Sequence, residues 1–89
     1  MTEEQKIEIL ALVKRHNERV DRIVKLSKEV KPPRDIIRGE IYESAFDIGA
    51  VKAFGRSNPE GDKIQELIAS AENRHQEIFS IIRRLKIGR

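Results

Sequence analysis

Seven apolar residues, Ile64, Leu67, Ile68, Ala71, Ile78, Ile82 and Leu85, recur at mostly three- and four-residue steps near the end of the chain, with His75 set among them. Residues at that spacing gather on one side of the backbone only when it is helical, so the run predicts a packed helix seam. Helix breakers cluster in two places, Val30-Lys31-Pro32-Pro33 and Gly55-Arg56-Ser57-Asn58-Pro59-Glu60-Gly61. They divide the chain into three helices predicted over about 3–30, 33–54 and 59–86. Thr2 and Gln5 have capping-box spacing, Pro33 suits a first helical turn because its missing amide would have no partner there, and Gly55 is expected to end the second helix. Both links are short, so successive helices should run antiparallel. The expected architecture is all-α: a single domain over 1–89, built as an up-down-up bundle or as a helical hairpin extended by a third helix.

A chain of 89 residues buries only about 60% of its unfolded surface, and its stability is correspondingly marginal. It has no cysteine for a disulfide, and its two histidines fall short of the usual four-ligand zinc site. Self-association is the remaining stabiliser. The start, Met1-Thr2-Glu3-Glu4-Gln5-Lys6, lacks the pattern of a secretory signal and no apolar run reaches membrane-spanning length, so a cytoplasmic protein is expected.

A turn of about 100° per residue puts Ile9, Leu12, Val13, His16, Val20, Ile23, Val24, Ser27 and Val30 on one broad face of the first helix. The second helix carries two stripes, Ile37, Ile41, Ala45, Ile48 and Val51 beside Tyr42, Phe46, Gly49 and Ala53. The two neighbouring helices of a monomer could cover both stripes; so could one neighbour and a second subunit. Leu10, Ile36, Ala50 and Phe54 fall outside the main stripes and favour the second arrangement, a homodimer through helix faces. Its expected interface is Ile36, Tyr42, Phe46, Ala50 and Phe54.

The 18 Lys and Arg against 15 Asp and Glu matter less for their sum than for their placement. An up-down-up bundle gathers Arg22, Lys25, Lys28, Lys31, Arg34, Arg38, Arg83, Arg84, Lys86 and Arg89 at one pole. It places Glu3, Glu4, Glu8, Asp47, Glu60, Asp62 and Glu66 toward the other. Lys28, Lys31, Arg34, Arg38, Arg83 and Arg84 are therefore the candidate phosphate contacts. Much of this asymmetry also follows from charges that oppose the dipoles of the first and third helices, and the pairs Glu18–Arg22 and Asp21–Lys25 would neutralise part of it.

His16 and His75 each interrupt an apolar face. Measured from the shared pole, their heights differ by about 6 Å at 1.5 Å per residue, so the two imidazoles are expected to meet in the core, neutral and hydrogen-bonded. Glu72 and His75 have the Glu-x-x-His spacing of di-iron bundles, but a carboxylate-bridged centre needs more inward-facing acids than the helices offer. No metal or other cofactor is expected.

The stretch Lys31-Pro32-Pro33-Arg34-Asp35-Ile36-Ile37-Arg38 resembles the start of the second helix in the all-helical chorismate mutases. Those are small helical dimers that hold a dicarboxylate with Arg and Lys, and the resemblance implies Arg15, Arg34 and Arg38 as the positions to inspect. It spans about ten residues. Gly39 stands where the family's pattern has a glutamate, and the third helix ends before the residue that contacts the ether oxygen, which leaves such a site incomplete. No catalytic residue is singled out. The expected function is that of a non-enzymatic helical bundle that self-associates and binds another protein. The alternative is a nucleic-acid-associated regulator using the basic pole; a small chorismate-mutase-like enzyme is a lesser alternative.

Overall fold

The computed structural model describes residues 2–59 and 61–87. Three helices form, α1 (Glu3–Ser27), α2 (Arg34–Ser57) and α3 (Asp62–Leu85). Of the residues expected at the poles, Glu60, Arg89 and the Asp62 side chain lie outside the described part.

The start of α1 follows the sequence reading. The Thr2 hydroxyl accepts from the Gln5 amide at 3.1 Å while the Gln5 side chain accepts from the Thr2 amide at 2.9 Å, which satisfies two otherwise orphaned donors. Its end comes three residues earlier than predicted. Pro32 has no amide to donate and would crowd the Lys28 carbonyl of a continuing helix. Val30 is fully exposed, so burial offers nothing to hold the last turn. The chain leaves through tighter turns, in which the amides of Lys28 and Glu29 donate to the carbonyls of Lys25 and Leu26 respectively.

Helix α2 differs from expectation at Gly55. The helix runs through this glycine to Ser57, because the residue serves helix packing: a Cβ there would lie 2.8 Å from Ile68 Cδ1 on α3. Asn58 and Pro59 make the break instead, and the Asn58 and Gln65 side chains donate to the Phe54, Gly55 and Asn58 carbonyls.

At the end of α3, Lys86 is left-handed with φ 54°, a conformation usually given to glycine. The turn is held by the Ile87 amide, which donates to the Ile82 carbonyl, and by burial of the Ile87 side chain. The seam expected from periodicity stops at Leu85 and so misses Ile87; it also omits the buried Ile81.

The helices run up, down and up. Arg22 reaches Glu40 and Arg15 reaches Asp47, as antiparallel neighbours require, whereas Arg74 pairs with Asp21 and Arg84 with Ser27, as parallel ones do. The core divides into two apolar clusters. One holds Ile9, Val13, Ile48, Val51, Phe54, Ile68 and Ala71; the other holds Val20, Ile23, Ile37, Ile78, Ile81 and Ile87. Phe54, named for the expected interface, thus packs in the intrachain core with residues of α1 and α3. Ala45, assigned to the inward stripe, is exposed.

Candidate functional site

A polar layer lies between the two apolar clusters. It is built from His16 on α1, Ser44 and Asp47 on α2, and His75 on α3, of which the first three are buried and His75 is half-buried. The histidines meet as their heights predict, with His16 Nε2 and His75 Nδ1 3.0 Å apart. His16 Nδ1 lies 3.0 Å from Asn17 Oδ1. A carboxamide oxygen only accepts, so His16 donates from Nδ1 and must accept at Nε2, which makes His75 Nδ1 the donor between the rings. A second proton on this pair would set two N–H groups against each other.

Burial pushes both imidazoles below the ordinary histidine value. For His16 the Asn17 hydrogen bond and the Asp47 charge oppose that effect, while Arg74 adds to it; for His75 the charges of His16 and Lys52 add to it. Phe79 meets the His75 ring edge-on with centroids 5.5 Å apart. Among the described residues no group of three or more His, Cys, Asp or Glu side chains converges on one point.

Asp47, expected at the acidic pole, lies inside the bundle. Its carboxylate accepts from Arg15 Nε at 3.1 Å and Arg19 Nε at 2.7 Å, and Arg19 also donates to Glu40 at 3.0 Å. These contacts hold the Arg19 guanidinium above its ordinary value, the Asp47 hydrogen bond most of all. The signal is present in the spacing: Arg15, Arg19 and Arg22 form one stripe of α1, and Glu40 and Asp47, seven residues apart, one stripe of α2. Reading charges within a helix gives Glu18–Arg22 and Asp21–Lys25, whereas the folded chain pairs Arg22 with Glu40 and Asp21 with Arg74. Arg74 Nε is buried without a hydrogen-bond partner among the described residues.

The basic pole assembles as expected. Arg34 Nη2 donates to the Lys86 carbonyl at 3.1 Å and Arg84 Nη2 to the Ser27 hydroxyl at 2.9 Å, which ties the three helix ends together. Lys28, Lys31, Arg34, Arg38, Arg83 and Arg84 are all exposed there. The three arginines implied by the chorismate-mutase resemblance are engaged separately, Arg15 with Asp47, Arg34 with the Lys86 carbonyl and Arg38 with Asp35.

The outer face of α2 is different in kind. Tyr42 and Phe46 are 65% and 60% exposed and pack edge-to-face with centroids 5.1 Å apart. Ile36 is also exposed and Ala50 half-buried. Gly39 and Gly49 flank the aromatic pair, and a Cβ on either would meet nothing within 4 Å. Each glycine costs the helix about 1 kcal/mol relative to alanine, and no contact within the chain accounts for that cost. Beside this face, Glu8, Leu12, Ala50, Ala53, Phe54 and Ser57 line a groove of about 430 Å³ between α1 and α2.

No family model, curated protein or solved structure matches this chain. Among the described residues no helix is long and apolar enough to cross a membrane.

Proposed function

We propose that this chain is a non-enzymatic interaction module that binds protein through the outer face of α2. The observation that carries this reading is the exposed Tyr42–Phe46 pair. Aromatic side chains bring large contact area at low entropic cost and are enriched in protein interfaces. Here they stand on a helix whose opposite side is already fully used by the core. A regular helix also fixes their spacing, so the face is ordered before a partner arrives.

The test compares proteins captured from an extract of the native organism by the wild-type chain and by a Tyr42→Ser/Phe46→Ser variant. Both positions are exposed, so the variant keeps its fold, and matching circular dichroism would establish that. Loss of the captured proteins with the variant supports the reading; an unchanged set overturns it.

A second reading has its own observation, the convergence of Arg34, Arg84, Lys86, Lys28 and Lys31 at one end of the bundle. Under this reading the basic pole holds phosphate backbones. Counterion release makes such binding fall steeply with salt, while an apolar helix face changes little. A titration of binding to duplex DNA and to single-stranded RNA at increasing salt separates the two, with Arg34→Gln/Arg84→Gln as the variant that should lose phosphate binding.

A further inference from the structure

We infer that the outer face of α2 is covered by a second copy of this chain, packed antiparallel along α2 about a two-fold axis that passes beside Phe46. The inference rests on the reading of that face as a protein-binding surface and names its occupant.

The pattern on the face is the first argument. Gly39, Tyr42, Phe46, Gly49 and Ala53 follow steps of three, four, three and four residues, the repeat of a seam that faces another helix. Gly55 shows what a glycine in this helix does when a neighbour approaches, since Ile68 Cδ1 occupies the space of its missing Cβ. Gly39 and Gly49 have the same missing side chain with open space above it. A helix arriving from outside would use them in the same way.

The pattern is also complementary to its own reverse. Gly39 and Ala53 each lie seven residues from Phe46, two helical turns in either direction. Antiparallel pairing about Phe46 therefore sets Gly39 across from the partner's Ala53, and Tyr42 across from the partner's Gly49 and Ala50. Tyr42 thus falls over small residues, and Phe46 meets its own copy beside the axis. A parallel pair would stack Tyr42 on the partner's Tyr42 and leave the glycines facing each other across a gap. In the antiparallel register Ile36 falls level with the partner's Arg56, on the side of α2 next to α1. There it meets the mouth of the groove lined by Leu12, Ala53 and Phe54, which gives this exposed side chain an apolar seat.

Charge selects the same arrangement. The molecule is 45 Å long and 18 Å across, with Lys28, Lys31, Arg83 and Arg84 exposed at one end and, at the other, Glu3, Glu4, Glu8 and Glu66 exposed among Lys6, Arg56 and Lys63. An axis perpendicular to α2 near its middle sets each basic end beside the partner's mixed-charge end, whereas a parallel dimer would bring the two basic ends together. Arg38 and Lys52 approach the partner's Lys52 and the partner's Arg38 on one flank, a local repulsion that limits affinity. Area limits it too: at about 150–250 Å² per aromatic side chain, the strip falls short of the roughly 800 Å² per partner of a standard interface. The dimer is therefore weak and concentration-dependent.

The chain has no cysteine, so introduced thiols report the register cleanly. Gly39→Cys and Ala53→Cys are prepared separately, oxidised alone and as a mixture, and run without reductant, with circular dichroism to show that both fold. In the antiparallel register neither variant crosslinks by itself, because like positions lie about 21 Å apart at 1.5 Å per residue, far beyond disulfide reach. The mixture crosslinks. Sedimentation of the wild-type chain from micromolar to millimolar concentration should show a dimer, and Phe46→Asp should weaken it at least tenfold. Self-crosslinking of each variant alone would establish a parallel pair and overturn the inference. So would a dimer with no crosslink in any sample, or a monomer throughout the concentration range. A monomer whose capture of other proteins still depends on Tyr42 and Phe46 would leave the interaction-module reading standing and remove only the second copy.

Discussion

Helix α2 offers two faces built from similar residue types under different constraints. On the inner face an aromatic, a glycine and a carboxylate each answer to a neighbour: Phe54 packs in the core, Gly55 admits Ile68, and Asp47 receives Arg15 and Arg19. On the outer face Phe46, Gly49 and Glu43 are exposed, and a Cβ on Gly49 would touch nothing. Residue type alone does not separate Phe54 from Phe46 or Gly55 from Gly49. What separates them is whether another helix of the same chain stands opposite. A substitution on the inner face should therefore register in the stability of the single chain, and one on the outer face in association.

The largest expected effect is at Asp47. Asp47→Ala removes the carboxylate that pairs two guanidinium groups, one of which, on Arg19, has a side chain only 16% exposed. The substitution removes two charge-assisted hydrogen bonds and leaves Arg19 with Glu40 alone, at a cost of about 3 kcal/mol. At about 4–8 °C per kcal/mol for a domain of this size, the melting temperature should fall by more than about 10 °C. A loss of a degree or two would show that the inner face is not organised around this contact.

Acid tests the same layer through its histidines. Both imidazoles sit below their ordinary value because burial disfavours the charged ring, so the unfolded chain binds more protons in the window beneath about 6.5. The stabilising contribution is complete above that value and is lost as pH falls from it through the folded-state value. Thermal melts from pH 8 to pH 5 should show a decline that starts near 6.5. The double variant His16→Leu/His75→Leu should lack that part of the decline, and NMR titration should place both rings below 6.5. Values above 7 would reverse the sign and the account with it.

Smaller and opposite in sign is the effect expected at the glycines. Gly49→Ala should stabilise the isolated chain by about 0.5–1 kcal/mol through helix propensity, measured by urea melts at low protein concentration, and it should weaken self-association by filling the space meant for the partner's Tyr42. Gly55→Ala should forfeit that gain because Ile68 must move. Lys86→Gly belongs to the same class: it relieves a left-handed lysine and should raise stability by about 1 kcal/mol. The smallest expected effect on the single chain is that of Phe46→Asp. Since Phe46 is exposed, its chemical melt in dilute solution should stay within about 0.5 kcal/mol of wild type. A larger loss would mean that the outer face is packed within the chain after all.

The sequence was most legible where a signal is local. The Thr2–Gln5 capping box and the two breaker clusters located three helices, because a cap or a proline acts on backbone groups within one turn of itself. The meeting of His16 and His75 was legible too, since they stand at similar heights on two inward faces. End points were less so. The stop after Ser27 and the passage of α2 through Gly55 depended on what lay opposite, nothing in the first case and Ile68 in the second.

The candidate surfaces divide in the same way. The basic pole follows from helix direction alone, and its lysines and arginines could be named from the sequence. Asp47 could not be placed by its own neighbours, because its position along α2 assigns it to the acidic pole until two arginines arrive from α1. Breakers and periodicity together determined that this chain is helical, how many helices it makes and that α2 has more apolar surface than one neighbour needs, since a proline acts within its own turn and a stripe follows from the fixed geometry of 3.6 residues per turn. Only the tertiary structure decided which stripe of α2 was left uncovered and which charges were drawn inside, because both depend on the rotation of each helix about its own axis, and that rotation is set by the sum of all contacts across the bundle.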